Sequence, residues 1–489
     1  MDAKTDQQGR APHDGAIDTR PIVVDLDGTL IRTDLLMESV FALLQRNIFY
    51  IFLVVLWLLK GKARLKHEIA IRVDFDASSL PYNEELLGYL RDEHAAGREL
   101  ILATASNKKF ADAIAVHLPI FTGVLASDET TNVSGKCKLE RIRDFVGDRE
   151  FDYAANAMVD VPVWESSSFA ILVNPERGVL QVAHQRFHVA RVFEDDLGNV
   201  ILRYVKALRI HQWLKNLLVF VPLLMAHRYD EPDLIGHALL AFLAFGLCAS
   251  SVYLLNDLLD LPDDRQHPTK KYRPFAAGSV SILNGTLLIP VLLVGAFAVA
   301  SFLPLTFVGI LAFYYVVTLT YSLRLKRVAL LDVLILAGLY TIRIIGGAAA
   351  VSVELSFWLL AFSMFLFLSM ALVKRFTELY TLQQQNRTTS CGRGYGVRDL
   401  ETLAQFGSAS AYMAVLVLAL YINSETVRGL YKYPEIIWLL CPLLLYIVTR
   451  VWLLGRRNEL HEDPVVFLMR DRQSQCLLGV GLVLLWLAI

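Results

Sequence analysis

Two clusters of carboxylates in this chain have the spacing of working chemistry. One lies in residues 256–278, where Asn256, Asp257, Asp260, Asp263 and Asp264 are followed at once by Arg265, His267, Lys270, Lys271 and Arg273. It directly follows the apolar run 234–255, and carboxylates at the mouth of a membrane helix are costly enough to imply a function. Asp257, Asp260 and Asp264 stand at i, i+3 and i+7, so a continuing helix carries them on one face. That pattern suits a Mg2+ ion that keeps most of its ligands for a phosphorylated substrate. Lys270, Lys271 and Arg273 supply the matching phosphate contacts. Pro262 interrupts the segment and can bend Asp264 off the helix. The other cluster is Asp25-Leu26-Asp27-Gly28-Thr29, at the end of the apolar run 21–24. A buried strand ending there delivers Asp25 as a nucleophile. Asp27, two residues on, points to the same side as an acid/base, and Gly28 permits the sharp turn.

This second cluster resembles the first motif of the haloacid dehalogenase (HAD) phosphatase superfamily, and the resemblance covers most of 20–180. It implies an α/β domain with a Rossmann-like sheet. Residues 100–103 form its second strand and end in Thr104, which fits the phosphate-binding hydroxyl. Within Asn132-Val-Ser-Gly135-Lys136-Cys-Lys138, Lys138 fits the charge-neutralising lysine, with Lys136 as second choice. A strand at 151–155 leads to Asn156-Ala-Met-Val-Asp160. The family's Gly-Asp/Asn-Ser is replaced there by Ala155, Asn156 and Ala157, which leaves Asp160 as a Mg2+ ligand and Asn156 as a neutral, weaker one.

The elements that must carry these groups divide the chain in two. Of 489 residues, 55% are hydrophobic, above the roughly 45–50% of soluble domains, and mean hydropathy is +0.45. The net charge of −1 conceals a soluble-looking first 200 residues and an apolar remainder, and no nucleic-acid partner is expected. Five scattered cysteines argue against both a disulfide framework and a zinc site. Residues 1–19 read as a disordered tail without the apolar core of a signal peptide, 20–195 as the HAD-like domain and 196–489 as a transmembrane domain. Residues 48–59 are twelve consecutive apolar residues, too short to cross a bilayer. A buried cap helix accounts for them. A helix on the membrane, or docked on the second domain, is what the flanking Lys60, Lys62, Arg64 and Lys66 favour.

About nine segments of spanning or near-spanning length follow residue 200: 212–227, 234–256, 281–303, 305–322, 329–351, 355–373, 402–422, 434–454 and 474–489. Alternate loops are rich in Lys and Arg. The positive-inside rule then puts the N-terminus, the HAD-like domain and the 256–278 stretch on the cytoplasmic side of an inner membrane, and the C-terminus outside. Further polar groups stand near span ends: Tyr321 and Lys326, Asp332, Lys374 with Arg375. Arg343 follows Asp332 by eleven residues, roughly 16 Å along a helix, and an arginine so deep needs a partner or an anionic ligand.

N-D-x-x-D-x-x-x-D followed by R-P-x-x-x-G, on a polytopic chain, resembles the UbiA superfamily of intramembrane prenyltransferases over about 200–489. The segments Arg209-Ile-His211-Gln212-Trp213-Leu-Lys215-Asn216 and Asp264-Arg265-Gln-His267-Pro268-Thr-Lys270, then Tyr321 with Lys326 and Asp332 with Arg343, are similar to its phosphoribosyltransferase branch. That branch moves phosphoribose from phosphoribosyl pyrophosphate (PRPP) to decaprenyl phosphate. Aromatic prenyltransferases carry a second Asp motif near the sixth span, where this chain has Lys374-Arg375-Phe-Thr-Glu378. The expectation is a Mg2+-dependent transferase using PRPP and a polyprenyl phosphate from the membrane lipid. Asp257, Asp260 and Asp264 would hold the metal, Asn256 would orient the diphosphate or a carboxylate, and Lys215, Lys326 and Arg343 would serve as phosphate clamps. The HAD-like domain would remove the product's 5-phosphate. The alternatives are a prenyltransferase acting on an aromatic acceptor with a regulatory HAD domain, and, from another class, a transporter. The isoprenoid length and the oligomeric state are not encoded in any of these motifs.

Overall fold

The computed structural model describes residues 19–195, 198–384, 394–424, 431–460 and 463–488. The expected N-terminal tail, apart from residue 19, lies outside the described residues. The chain forms two compact units. One is the chain up to Ala207 together with Leu255–Leu287, and the other is Leu208–Leu254 with the chain from Leu288 onward. The aspartate-rich stretch thus belongs to the first unit, although it follows a span in sequence.

The first unit is built on six parallel strands: β1 (Ile22–Val24), β2 (Leu100–Asn107), β3 (Gly123–Ser127), β4 (Asp152–Ala155), β5 (Phe169–Val173) and β6 (Val189–Phe193). Their spatial order is β3-β2-β1-β4-β5-β6. The strands are short apolar runs because helices cover both faces. The period of two is visible in the core, where Ile22, Val24, Leu100 and Leu102 enter one cluster while Val23, Ile101 and Ala103 enter the other. The helices of this unit up to Ala207 are α1 (Leu35–Arg46), α2 (Tyr50–Leu59), α3 (Lys62–Ala70), α4 (Glu84–Ala95), α5 (Lys108–His117), α6 (Lys136–Val146), α7 (Val161–Trp164), α8 (Val179–Arg186) and α9 (Val200–Ala207). Asp34 starts α1 by accepting the Met37 N–H, and Asn107 starts α5 by accepting that of Lys109. Strand β2 runs four residues past its expected end, with a register shift between Ala103 and Asn107. Strand order reverses at β1, and the crevice beyond the carboxyl ends at such a switch point is where open α/β sheets bind ligands.

The second unit is helical. The remaining helices of the chain are α10 (Val221–Met225), α11 (Pro232–Leu259), α12 (Leu261–Gln266), α13 (Ile282–Ala300), α14 (Leu305–Leu323), α15 (Leu331–Ala350), α16 (Phe357–Gln384), α17 (Leu400–Ile422), α18 (Pro434–Ile437), α19 (Leu440–Arg456), α20 (Pro464–Arg470) and α21 (Arg472–Ala488). Of these, α12 lies wholly in the first unit, and α11 and α13 each straddle the two. Among the described residues seven helical segments are long and apolar enough to cross a membrane. The first and last of the nine expected segments are shorter, Ile210–Met225 and Arg472–Ala488, below the roughly 20 residues a bilayer core demands. The former is mostly 3-10 helix, Ile210–Phe220. Close packing here uses small residues: a Cβ at Gly347 would lie 2.1 Å from the Val219 carbonyl oxygen, and one at Gly407 would lie 2.0 Å from the Trp452 ring. The chain is a polytopic membrane protein.

Candidate functional site

At the carboxyl end of β1, Asp25 is buried and its N–H donates to the Ala154 carbonyl of β4. Its carboxylate pairs with Lys138 at 2.9 Å. Lys138, from the first turn of α6, also reaches Asp160 Oδ1 at 3.0 Å and the Tyr153 hydroxyl at 2.9 Å. Of the two candidate lysines Lys138 is the one beside Asp25, and Lys136 is exposed. Asp27 accepts the Leu35 N–H at 2.9 Å and the Ser106 hydroxyl at 2.7 Å. Burial, then the charge of Asp34, push the Asp27 carboxyl up to about 7. Burial likewise raises Asp25 to about 6, against the opposing pull of Lys138. Acid/base work near neutral pH needs a carboxyl tuned in this way.

Gly28 lies at φ +75, and a Cβ there would come within 2.4 Å of Asn156 Nδ2. This glycine lets the β1 turn close onto the loop after β4, and Thr29 Oγ1 donates to Asn156 Oδ1 at 3.3 Å. Thr104 lies inside β2 rather than at its end, and its Oγ1 accepts the Ser106 N–H at 2.9 Å. Asp160 is fully buried, and its Oδ2 has no hydrogen-bond partner. A buried carboxylate oxygen left open beside the Asn156 loop has the chemistry to take a divalent cation. Three contributors escaped the sequence reading: Tyr153, Ser106 and Lys66. Lys66, taken as part of the flank of an apolar helix, instead extends from α3 to the Ala105 carbonyl at 2.6 Å and Asn132 Oδ1 at 2.8 Å. Burial lowers its ammonium below the usual range.

The aspartate-rich stretch is the second constellation of the same unit. Backbone bonds Asp260 N–H to Asn256 O and Asp264 N–H to Asp260 O, both 2.9 Å, carry the helical pattern past Pro262. The chain nevertheless breaks at Asp260, with φ −90 and ψ 12. Asp257 and Asp264 are buried, and a single Arg273 nitrogen reaches both, at 3.1 and 2.5 Å. Asp260, expected to join them as a metal ligand, accepts from Asn256 Nδ2 at 2.9 Å. Burial raises Asp264 to about 6 despite Arg273. Lys270 is half-buried, and Lys271 is exposed with its ammonium over the Tyr272 ring. Two carboxylates that share one cation fit a Mg2+ ion that takes its remaining ligands from substrate and water. Among the described residues no three acidic, His or Cys side chains gather as a metal cage.

In the helical unit, Lys215 and Lys374 both donate to Asp463 Oδ2, at 2.8 and 3.0 Å, while Tyr340 donates to Oδ1 at 2.8 Å. Burial alone would raise Asp463, but the two ammonium groups overcome it and hold the carboxyl well below the usual range. Asp463 carried no motif; it stands just before Pro464, where it caps α20 by accepting the Val465 N–H. Arg343 is buried and donates to Asn216 Oδ1 at 2.8 Å, the Leu339 carbonyl at 2.5 Å and the Tyr314 hydroxyl at 2.8 Å. Asp332 and Tyr321 are two of the polar groups near span ends that carry the phosphoribosyltransferase similarity, which implies substrate binding. The structure gives them internal partners: Asp332 accepts from Arg375 at 2.5 Å and from Tyr395 at 2.6 Å, and Tyr321 accepts from Arg375 at 3.0 Å. An unpaired carboxylate at a fully buried position would be prohibitive, which is why Arg375 is drawn there. Lys326 is half-buried in the short turn Leu325–Arg327.

Residues 217–470 match the model of the UbiA prenyltransferase family. The chain belongs to that family. It is 36% identical to the uncharacterized protein y4nM of Sinorhizobium fredii over 457 residues, 93% of this chain and 88% of that one. It is 39% identical to the decaprenyl-phosphate phosphoribosyltransferase of Mycolicibacterium smegmatis over 185 residues, 37% of this chain and 58% of that relative. A UbiA homolog from Archaeoglobus fulgidus, solved with GPP and Mg2+, aligns with a TM-score of 0.44 at 15% identity, covering 58% of this chain and 99% of that one. This UbiA-family protein thus carries two separate constellations of charged groups: the Asp257–Asp264 pair with Arg273 in one unit, and Lys215 with Lys374 around Asp463 in the other.

Proposed function

We propose that this protein transfers 5-phosphoribose from PRPP to a polyprenyl phosphate at the cytoplasmic face, and that its α/β unit is a HAD-type phosphatase that removes the product's 5-phosphate. The observation that carries the transferase reading is the convergence of Lys215, Lys374 and the Tyr340 hydroxyl on one carboxylate. A place where two ammonium groups and a phenol meet an anion is suited to a phosphate, and Lys374 stands where aromatic prenyltransferases carry carboxylates. The partial similarity to relatives named decaprenyl-phosphate phosphoribosyltransferase supports the same reading.

Asp257 and Asp264 would hold a Mg2+ ion that would neutralise charge on a diphosphate leaving group, and Asp160 with Asn156 would hold one that would do so for a phosphoryl group. Arg273, released from the carboxylate pair, turns to the diphosphate oxygens, with Lys270 and Lys271 beside it in sequence. As the ribose C1–O bond to pyrophosphate breaks, C1 develops oxocarbenium character, and a lipid phosphate oxygen forms the new C1–O bond. That oxygen is already anionic, so the residues contribute alignment and charge stabilisation rather than a general base. Lys215 and Lys374 exchange Asp463 for the lipid phosphate. In the phosphatase step Asp25 attacks phosphorus, the bond from phosphorus to the ribose 5-oxygen breaks, and Asp27 gives its proton to that oxygen. Asp27 then takes a proton from the water that releases phosphate from Asp25.

The deciding experiment incubates the protein in bilayers with labelled PRPP plus polyprenyl phosphate, and separately with a labelled prenyl diphosphate plus an aromatic acceptor. Label should enter lipid from PRPP alone; incorporation from the prenyl diphosphate alone would replace this reading with aromatic prenyl transfer.

A further inference from the structure

Helix α2 is the least ordinary surface of the α/β unit. Only Trp57 among its ten residues is buried, while Phe49, Phe52, Val55, Leu56, Leu58 and Leu59 are exposed, Phe52 to 67% and Leu59 to 80%. A soluble face would not leave so much contiguous apolar surface in water. Its C-terminal end passes into cations. Gly61, at φ +111, turns the chain into α3, and Lys60, Lys62 and Arg64 line a cavity of about 690 Å3 with Glu129 and Asn132. Glu129 is paired with Arg64, and among the described residues neither Lys60 nor Lys62 on that rim has a carboxylate partner. Within the same unit, α1 is bound to the segment that leaves a membrane span. Arg265, in α12 immediately after α11, holds Glu38 with both terminal guanidinium nitrogens, and Gln45 reaches Asp263 at 3.5 Å. Helix α2 begins four residues after α1 ends.

We propose that α2 is a membrane-docking helix, lying in the interface of the anionic bilayer that this chain already crosses, with Lys60 and Lys62 at the level of the lipid headgroups. An apolar helix bordered by lysines has the composition of an interfacial element. The attachment of α1 to the end of a span keeps it near lipid. The other end of this device lies by the proposed phosphatase site, because α3 carries Lys66 to the Ala105 carbonyl, next to the Ser106 that donates to Asp27. The docking helix therefore holds the α/β site against the surface on which a lipid-linked phosphomonoester arrives.

The test uses the full chain in nanodiscs of phosphatidylcholine with one part in three phosphatidylglycerol. Cys137, Cys391 and Cys476 are replaced by Ser, and a nitroxide is placed at Phe52→Cys or, as control, at Val116→Cys on the exposed side of α5, where Val116 is 83% exposed. The ratio of oxygen to water-soluble nickel-chelate accessibility should be roughly tenfold higher at 52 than at 116, as for a residue sunk in the acyl boundary. A ratio equal to the control would mean that the helix stands in water. Shielding from both reagents would mean that it packs on protein, either the rest of this chain or a second copy. Either result overturns the proposal. A second arm rests on the phosphatase reading: Phe52→Asp with Leu56→Asp should keep hydrolysis of a soluble aryl phosphate and lose at least about tenfold on a phosphomonoester held in the bilayer. Equal retention or equal loss of both counts against docking. If the unsubstituted chain hydrolyses neither, the phosphatase reading fails and the nitroxide result still decides the docking.

Discussion

Glu38 and Arg265, 227 residues apart in sequence, form a two-pronged ion pair in which Arg265 is almost fully buried and also donates to the Ala276 carbonyl at 3.2 Å. Glu38 in turn accepts from Thr33 at 3.1 Å. Nearby, a Cβ at Gly278, at φ +70, would collide with Arg32 at 2.6 Å. The aspartate-rich stretch is therefore built onto the first helix of the α/β unit. Removing one member of a buried pair strands the other, so Arg265→Met should cost about 3–5 kcal/mol. The double variant Glu38→Gln with Arg265→Met should cost less than the sum of the singles. Thermal unfolding of the four proteins measures the coupling, and additivity would show that the pair does not bind the two segments together.

Arg273 occupies the place between Asp257 and Asp264 that a metal would share. Asp257→Asn and Asp264→Asn should each abolish most Mg2+-dependent transfer. Asp260→Asn, whose side chain is turned to Asn256, should shift the Mg2+ requirement by only roughly 10–100-fold. Mg2+ titrations of PRPP-dependent labelling distinguish the three positions, and equal loss at all three would restore the single-face arrangement expected from their spacing.

Asp463 balances two buried lysines. Asp463→Asn leaves Lys215 and Lys374 without their carboxylate and should lower stability by about 3–5 kcal/mol. A lipid phosphate that takes the place of Asp463 should restore more stability to the variant than to the unsubstituted protein. Melting curves with and without polyprenyl phosphate test this; an equal shift in both would place the lipid phosphate elsewhere.

The Asp27 carboxyl at about 7 has two consequences. Aryl phosphate hydrolysis should fall as pH rises through about 7, because the deprotonated carboxylate cannot supply the leaving-group proton. A carboxyl whose pKa is raised on folding also makes the folded state bind a proton that the unfolded chain releases. Stability is therefore lost as pH rises from about 4 to 7. Asp27→Asn, which can keep contacts to Leu35 and Ser106, should melt higher than the unsubstituted chain at pH 8 while losing hydrolysis. A pH profile that is flat through 7, or a lower melting temperature, would contradict this account.

Local pattern was enough for much of this protein. The apolar runs determined which segments are strands and which are spans, because burial in a sheet core or a bilayer leaves a composition signal. Asp25 and Asp27 were legible as the end of an apolar strand, Lys138 and Asp160 only through the resemblance to HAD phosphatases, and the structure brings Lys138 to Asp25 and Asp160. Other features rest on contacts between distant segments, which spacing cannot encode. They are the capture of residues 255–287 by the α/β unit, Arg273 bridging Asp257 and Asp264, Lys66 reaching Asn132, and Asp463 joining Lys215 to Lys374. Asp332 shows the same division. Nothing in its local sequence names a partner, and the packing of α15 against α16 brings Arg375 to it.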